Sequence, residues 1–202
     1  MTAPTVFVVD DNQGVRKSMQ ALVEAADLAV ETYGSAAEFL AAYDARRAGC
    51  LVLDVRLREG SGLDLQDELR RRNAKLPIIV MTGYADLPAA VRAFKGGAVD
   101  FLRKPVPPKK LLAQISEAIE IDRRARDTAA QHATVTDRIA QLTPRESQVM
   151  ELLAVGNSSK EIGTVLGLSV RTVEGHRRTV LRKMDVDSAA KLARVIAGIR
   201  RP

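Results

Sequence analysis

The stretch from Thr5 to Gly14 reads TVFVVDDNQG and carries two adjacent carboxylates, Asp10 and Asp11, directly after an apolar run. The run Val6–Val9 is of the continuously apolar type that forms a strand buried on both faces of a sheet. Acidic residues after a strand are also common at the start of a helix, where they cap free N–H groups and complement the helix dipole. A helix cap and a site for a divalent cation therefore both remain open for this stretch.

The composition limits the classes of protein to which the chain can belong. Its 202 residues are 46% hydrophobic, which leaves room for one or two globular domains. No apolar run approaches the roughly 20 residues that span a bilayer, and no basic segment precedes the first apolar run. The single cysteine, Cys50, excludes an internal disulfide framework and a cysteine-ligated zinc site. We therefore expect a cytoplasmic protein that makes no membrane contact.

The net charge of +6 is concentrated near the C-terminus. Residues 140–202 hold 11 Lys and Arg residues against 6 Asp and Glu residues, so that they account for +5 of the total. A short basic segment of this kind favours contact with a polyanion such as nucleic acid.

The first hundred or so residues alternate between two kinds of pattern. Short apolar runs alternate with stretches in which apolar residues recur at helical spacing, and Ser35 and Pro88 provide helix start signals. Five strands that alternate with five helices predict a parallel sheet covered by helices on both faces. The runs expected to form the strands are Thr5–Val9, Ala29–Tyr33, Cys50–Leu53, Pro77–Met81 and Asp100–Leu102.

Polar residues follow four of these five predicted strands. Asp10 and Asp11 follow the first, Asp54 the third, Thr82 the fourth and Lys104 the fifth. Because ligands bind beyond the carboxyl ends of the strands in such sheets, we expect these side chains at one rim. Three carboxylates would repel one another without a cation, and oxygen-only ligands suit magnesium. Lysine and threonine can bind phosphoryl oxygens, and an Asp beside them is a plausible nucleophile.

Residues 1 to about 120 resemble the receiver domain of a two-component response regulator. The resemblance rests on the acidic pair, on Asp54 in LVLDVR, on the triplet MTG and on the dipeptide KP, all in the expected order. It implies a flavodoxin-like α/β fold whose five-stranded parallel sheet has the order 2-1-3-4-5. It also implies that Asp54 accepts a phosphoryl group from the phosphohistidine of a sensor histidine kinase.

The resemblance further implies the ligands of a bound Mg²⁺. Asp11 would coordinate the ion directly, Asp10 directly or through water, and Asp54 and the backbone carbonyl of Arg56 would add ligands. Arg58 stands where many receivers have proline, which predicts a looser loop after the phosphoacceptor.

The family pattern also assigns roles around the phosphoryl group. Thr82 and Lys104 would act with Asp54 in the transfer, and Thr82 and Phe101 match the pair whose coupled movement reports phosphorylation. Lys104–Pro105 matches a peptide bond that is often cis in the family. Arg56 and Tyr84 occupy positions at which the family varies and the rate of dephosphorylation is tuned.

The sequence after residue 120 predicts a linker followed by a second domain. Residues 121–139 contain no glycine or proline and are rich in alanine and charge, which favours a largely helical linker. The fifth helix is expected to reach about Ala130 and to weaken at HATVT, where β-branched residues cluster. The predicted domains are therefore a receiver at 1–120, the linker at 121–139 and a DNA-binding domain at 140–202.

Helix start and stop signals divide the second domain into short helices. Thr143–Glu146 and Ser158–Glu161 are capping boxes, Gly167 is a helix stop and Ser169 a further cap. A short helix, a turn that contains glycine and a longer basic helix together predict a helix-turn-helix. Its expected core consists of Ile162, Val165, Leu166, Val173, Val180 and Leu181.

The segments LTPRE, SSKEIGTVLGLS and RTVEGHRRTVLRKM resemble the LuxR-type domain of the NarL/FixJ class of response regulators. The resemblance implies four helices, of which the third enters the major groove of double-stranded DNA and the fourth, from about Ser188, pairs two subunits. Glu174, Gly175 and Arg178 fall where the family reaches base edges. Expected phosphate contacts are Lys160, Arg171, Thr172, Arg177 and Arg182.

The two resemblances together predict a DNA-binding transcriptional response regulator rather than a dedicated enzyme. We expect phosphorylation of Asp54 to promote homodimerisation and promoter binding, with a sensor histidine kinase, DNA and RNA polymerase as partners. One alternative is a dimeric transcription factor that does not depend on phosphorylation. Another is a Mg²⁺-dependent phosphatase of the haloacid dehalogenase type, but that chemistry requires a second Asp at the position of Arg56.

Overall fold

The computed structural model describes residues 3–83 and 87–200, so that Tyr84 lies outside the described residues. The chain forms two compact units that divide between Arg126 and Asp127. No helix among the described residues has the length and apolar character that a bilayer crossing requires.

A parallel sheet of five strands forms the centre of the first unit, and its order is β2-β1-β3-β4-β5. This confirms the α/β fold and the strand order 2-1-3-4-5. The first and last residues of each strand lie within one residue of the ends of the apolar run that predicts it. The strands are β1 (Thr5–Val9), β2 (Ala29–Tyr33), β3 (Gly49–Asp54), β4 (Ile78–Thr82) and β5 (Asp100–Arg103).

Helices cover both faces of the sheet, because alternate residues of each central strand point to opposite faces. Val6 and Val8 pack in one hydrophobic cluster, whereas Phe7 and Val9 pack in the other. Helices α1 and α5 supply buried residues to the first cluster, and α2, α3 and α4 to the second. The helices are α1 (Gln13–Glu24), α2 (Ala36–Ala42), α3 (Gly62–Arg71), α4 (Leu87–Lys95) and α5 (Pro108–Ala140).

Helix α5 is 33 residues long and runs without a break through HATVT, so the expectation that it weakens there is wrong. Val135 and Ile139 pack against the hydrophobic core of the second unit, and this burial stabilises the helix. The Thr134 and Thr136 hydroxyls donate to carbonyls four residues earlier, at 3.0 and 2.9 Å. Packing thus outweighs the weak helix propensity of β-branched residues.

Four further helices follow α5 in the second unit, and the first three of them have the predicted caps. Thr143 and Ser158 form reciprocal capping boxes, Gly167 ends a helix in the left-handed conformation, and the Ser169 side chain accepts the Thr172 N–H. The helices are α6 (Pro144–Ala154), α7 (Ser159–Leu166), α8 (Val170–Met184) and α9 (Ala189–Arg200).

The core of the helix-turn-helix contains five of the six predicted residues. Ile162, Val173 and Val180 are buried, and Leu166 and Leu181 pack against them. The expectation for Val165 is wrong, because its side chain is 63% exposed. Val165 precedes Leu166, and one residue corresponds to a rotation of about 100° around a helix, which turns Val165 away from the core.

Candidate functional site

The carboxyl ends of β1 and β3 bring three carboxylates together. Asp10 directly follows β1, Asp11 comes next, and Asp54 is the last residue of β3. One oxygen of each lies within 4.8 Å of the others. Asp10 is buried, whereas Asp11 and Asp54 are half-buried, so that the cluster is accessible from one side.

Asn12, rather than either carboxylate, caps helix α1. Its side chain accepts the N–H groups of Gly14 and Val15 at 2.9 and 3.2 Å. Asp10 Oδ1 accepts the Asn12 N–H at 2.9 Å, and Arg16 Nη1 donates to the Asp10 carbonyl at 2.6 Å. These bonds hold Asp10 at the end of β1, and neither Asp10 nor Asp11 serves as the helix cap.

Lys104 lies between two of these carboxylates. Its Nζ atom is 2.6 Å from Asp10 Oδ2 and 3.0 Å from Asp54 Oδ2. The Lys104 N–H donates to the Thr82 carbonyl at 2.7 Å, which ties the end of β5 to that of β4. The Lys104–Pro105 peptide bond is cis, as expected.

The ionisation of the cluster follows from burial and from these contacts. Burial raises the pKa of Asp54, and the Asp10 charge acts in the same direction, against Lys104 and the Arg56 N–H. Burial by itself lowers the pKa of Lys104, but its bonds to Asp10 and Asp54 outweigh burial and raise that pKa. Lys104 is therefore charged at neutral pH, and its ammonium contacts two of the three carboxyl groups, Asp10 and Asp54.

The loop after Asp54 is folded into a two-residue antiparallel ladder, Arg56–Leu57 with Gly60–Ser61. The Gly62 N–H donates to the Val55 carbonyl at 2.8 Å, so that helix α3 starts beside the end of β3. A Cβ atom at Gly62 would lie 1.9 Å from the Asp54 carbonyl oxygen, which excludes any larger residue there. This close approach fixes the backbone around Asp54.

Thr82 and Phe101 lie on the same face of adjacent strands. Phe101 pairs with Val80, and Val80 and Thr82 point to the same side because they are two residues apart in β4. Thr82 is buried, whereas Phe101 is half-buried and packs against the cluster that contains Val80 and Ala93.

Helix α8 has one buried and one basic, exposed face. Val173, Val180 and Met184 are buried. Most of the side chains expected to contact DNA lie on the exposed face, and Arg177 is half-buried. The exposed residues are Arg171, Thr172, Glu174, Gly175, Arg178 and Arg182, together with Lys160 on α7.

Three contacts around α8 have no counterpart among the sequence predictions. The Ser159 hydroxyl donates to Glu174 Oε1, although the sequence shows Ser159 only as part of a capping sequence. Lys183 Nζ lies 2.7 Å from Glu146 Oε2 and donates to the Gln141 carbonyl at 3.1 Å. Sequence separations of 15 to 42 residues place all three contacts beyond local patterns.

Two family models match the chain. The response regulator receiver domain matches residues 6–116, and the luxR family of bacterial regulatory proteins matches residues 140–196. Nodulation protein W of Bradyrhizobium diazoefficiens is 43% identical over 96% of this chain and 86% of its own length. The transcriptional regulatory protein FixJ of Azorhizobium caulinodans is 41% identical over 96% of this chain and 93% of its own length.

Solved structures of response regulators are also similar to this chain over nearly its whole length. The response regulator StyR is 36% identical with a TM-score of 0.88, and the alignment covers 97% of this chain and 99% of StyR. Full-length FixJ from B. japonicum is 37% identical with a TM-score of 0.61 and 98% of each chain covered. Such proteins are transcriptional regulators and not dedicated enzymes, so the phosphatase alternative is wrong. The chain belongs to the NarL/FixJ class of two-component response regulators, in which phosphorylation of a receiver domain activates a LuxR-type DNA-binding domain.

Proposed function

We propose that Asp54 is the phosphoryl acceptor through which a sensor histidine kinase activates this transcriptional regulator. The observation that carries the proposal is the meeting of Asp10, Asp11, Asp54 and Lys104 at the carboxyl ends of the strands. Asp54 is the accessible carboxylate that contacts Lys104, since Asp10 is 3% exposed and held by its neighbours.

The donor set of the cluster fits Mg²⁺. Asp10, Asp11 and Asp54 offer oxygen atoms within 4.8 Å of one another, and magnesium prefers oxygen ligands. The Arg56 carbonyl completes the proposed ligand set, on a residue whose N–H binds the Asp54 carboxylate. When bound, Mg²⁺ would neutralise charge on the carboxylates and on the transferred phosphoryl group.

In the proposed transfer, an Asp54 oxygen forms a bond to phosphorus as the bond from phosphorus to the kinase histidine breaks. The electron pair of the broken bond leaves with the imidazole nitrogen. The Lys104 ammonium binds a phosphoryl oxygen, since its pKa keeps it charged. The Thr82 hydroxyl, at the end of the neighbouring strand, donates to another.

We infer that phosphorylation promotes homodimerisation through α4 and β5. As Thr82 moves towards the phosphoryl group, Phe101 turns inward on the same face. Beside these residues, α4 exposes an apolar stripe of Leu87, Val91 and Phe94, which are 77%, 43% and 53% exposed. Charges nearby can pair across a two-fold axis. These charged residues are Lys95, Asp100 and Arg103.

Arg92 does not belong to this set of charges, although it lies on α4. Its Nη2 atom is 2.6 Å from Asp64 and 2.7 Å from Asp67 of the same chain. These carboxylates hold Arg92 against α3.

We infer that the proposed dimer reads DNA through α8. Arg178 can bind guanine bidentately, whereas the surrounding basic residues and Thr172 bind phosphates. Two linked DNA-binding domains on adjacent half-sites bind DNA more tightly than one domain does, because binding of the second domain becomes intramolecular. RNA polymerase is the proposed further partner at the promoter, and the protein acts in the cytoplasm.

The decisive experiment is labelling with acetyl phosphate in the presence of Mg²⁺. The parent protein should gain one acid-stable, hydroxylamine-labile phosphoryl group, and Asp54→Asn should remove it. Asp11→Asn should slow labelling because it removes a proposed metal ligand. Asp44→Asn, at a half-buried residue paired with Arg46 outside the cluster, is the matched control and should label normally. Undiminished labelling of Asp54→Asn would refute the assignment.

The same variant tests the alternative of a transcription factor that is independent of phosphorylation. If Asp54→Asn binds promoter DNA and dimerises as the phosphorylated parent does, the phosphoacceptor is not a control point. If its DNA affinity stays at the level of the unphosphorylated parent, the alternative is wrong.

A further inference from the structure

The Glu174 carboxylate is held between two helices of the second unit. The hydroxyl of Ser159, the first residue of α7, donates to Glu174 Oε1. Arg177 Nη1, one turn further along α8, lies 3.7 Å from the same oxygen. Both partners thus act on Oε1.

Burial restricts what Ser159 can bind. The residue is 8% exposed, so that its hydroxyl has little access to water. A hydroxyl that donates to a carboxylate forms a charge-assisted hydrogen bond, which is stronger than one between neutral groups. The hydrogen bond between Ser159 and Glu174 is therefore strongly favoured over an arrangement in which the Ser159 hydroxyl has no partner.

Much of the Glu174 side chain lies in solvent. Its exposed fraction is 50%, so that solvent surrounds much of the side chain. A glutamate in such open surroundings samples several rotamers and loses that freedom when it binds. The contacts with Ser159 and Arg177 thus remove disorder that DNA binding would otherwise have to remove.

We propose that Ser159 is a positioning residue that orients Glu174 for base recognition without contacting a base itself. With Oε1 engaged, Oε2 becomes the acceptor presented to a cytosine amino group. Base preference at the pair contacted by Glu174 then depends on Ser159 as well. The inference rests on the proposed role of α8 as the DNA-reading helix.

The test measures base preference rather than affinity alone. A consensus duplex is selected from a randomised library with the full-length protein, phosphorylated by acetyl phosphate and Mg²⁺. Dissociation constants are then measured by fluorescence anisotropy for the consensus and for each single base-pair variant. A partly unfolded protein binds all duplexes proportionally less well, so the ratios of these constants report positioning and not stability.

The expected result is a shared loss of preference at one base pair. Glu174→Gln should reduce the preference at that pair about tenfold, which is the size of a charge-assisted hydrogen bond. Ser159→Ala should reduce the same preference about threefold or more, and the double variant should lose no more than Glu174→Gln does. Ser159→Thr keeps the hydroxyl and should restore most of the preference.

Two controls separate failure of this inference from failure of the proposed function. Lys160→Ala, at the next residue, should weaken binding to all duplexes alike because Lys160 is a proposed phosphate contact. If neither Arg178→Ala nor Glu174→Gln changes any preference, α8 does not read base edges, and its proposed role is wrong together with this inference. If Arg178→Ala changes a preference but Ser159→Ala changes none, the positioning role of Ser159 alone is refuted.

Discussion

The buried carboxylate of Asp122 on α5 accepts a 2.9 Å hydrogen bond from the N–H of Gly49, the first residue of β3. The same Oδ2 atom accepts from Arg126 Nε at 2.7 Å. The Arg126 guanidinium also donates to three successive backbone carbonyls, at 3.2, 3.0 and 2.5 Å. These contacts tie α5 to the loop before β3. The three carbonyls belong to Ala45, Arg46 and Arg47.

Removal of Arg126 should destabilise the first unit. Arg126→Ala leaves the 2%-exposed Asp122 without its cation, and we expect the free energy of unfolding to fall by about 2 kcal/mol or more. Arg124→Ala, which removes an exposed pair with Glu120, is the matched control and should cost under about 1 kcal/mol. Urea unfolding measures both, and equal losses would show that the buried contacts contribute little.

The pH dependence of stability should reveal the raised pKa of Asp54. The pKa of Asp54 in the folded state lies above the ordinary 3.8, so folding favours the protonated carboxyl group. The free energy of unfolding therefore falls as pH rises from the ordinary pKa through the raised one. Asp54→Asn has no carboxyl group at this position, so its stability does not fall for this reason. Without Mg²⁺, the stability of the variant relative to the parent should therefore increase as pH rises above the ordinary carboxyl pKa of 3.8. A difference that does not change with pH would contradict the shift.

Addition of Mg²⁺ should stabilise the first unit by mass action. At a free concentration one hundred times its Kd, a ligand that binds only the folded state adds about 2.7 kcal/mol. Thermal unfolding should show this gain for the parent and a smaller one for Asp11→Asn. NaCl at matched ionic strength controls for screening. The absence of any Mg²⁺-dependent rise would be evidence against the metal site.

Arg178 and Arg182 should affect DNA binding differently, although both are exposed on α8. Arg178→Ala should cost about 1–3 kcal/mol at one base pair and relax specificity there. Arg182→Ala should weaken binding to all sequences alike and lower the dependence of affinity on salt. Anisotropy titrations at several salt concentrations separate the two effects. Identical behaviour of both variants would exclude Arg178 as a base contact.

Phosphorylation should convert monomer to dimer through the apolar stripe of α4. Phe94→Asp places a charge in that stripe and should keep the labelled protein monomeric in sedimentation, with no gain in DNA affinity. Val165→Asp changes a residue that is also exposed, but in the second unit, and should leave dimerisation intact. A phosphorylated parent that stays monomeric while it gains DNA affinity would point to release of an inhibitory contact instead.

Local sequence patterns determined the fold and identified residues of the proposed site. Continuous apolar runs identify the strands because both faces of a parallel sheet are buried, and Asp10, Asp54 and Lys104 follow from the ends of those runs. The helix-turn-helix follows from Ser158 and Gly167, since caps and stops act over three or four residues. These signals depend on near neighbours in the chain, so the sequence alone contains them.

Tertiary structure decided the features that depend on distant residues. Packing of Val135 and Ile139 continues α5 through a stretch whose own propensity disfavours a helix, and the orientation of α7 exposes Val165. Arg126 reaches carbonyls about 80 residues away in sequence, and Ser159 meets Glu174 on another helix. Helical and strand periodicity describe which face a residue occupies, but the partner opposite that face is fixed only when the elements pack together.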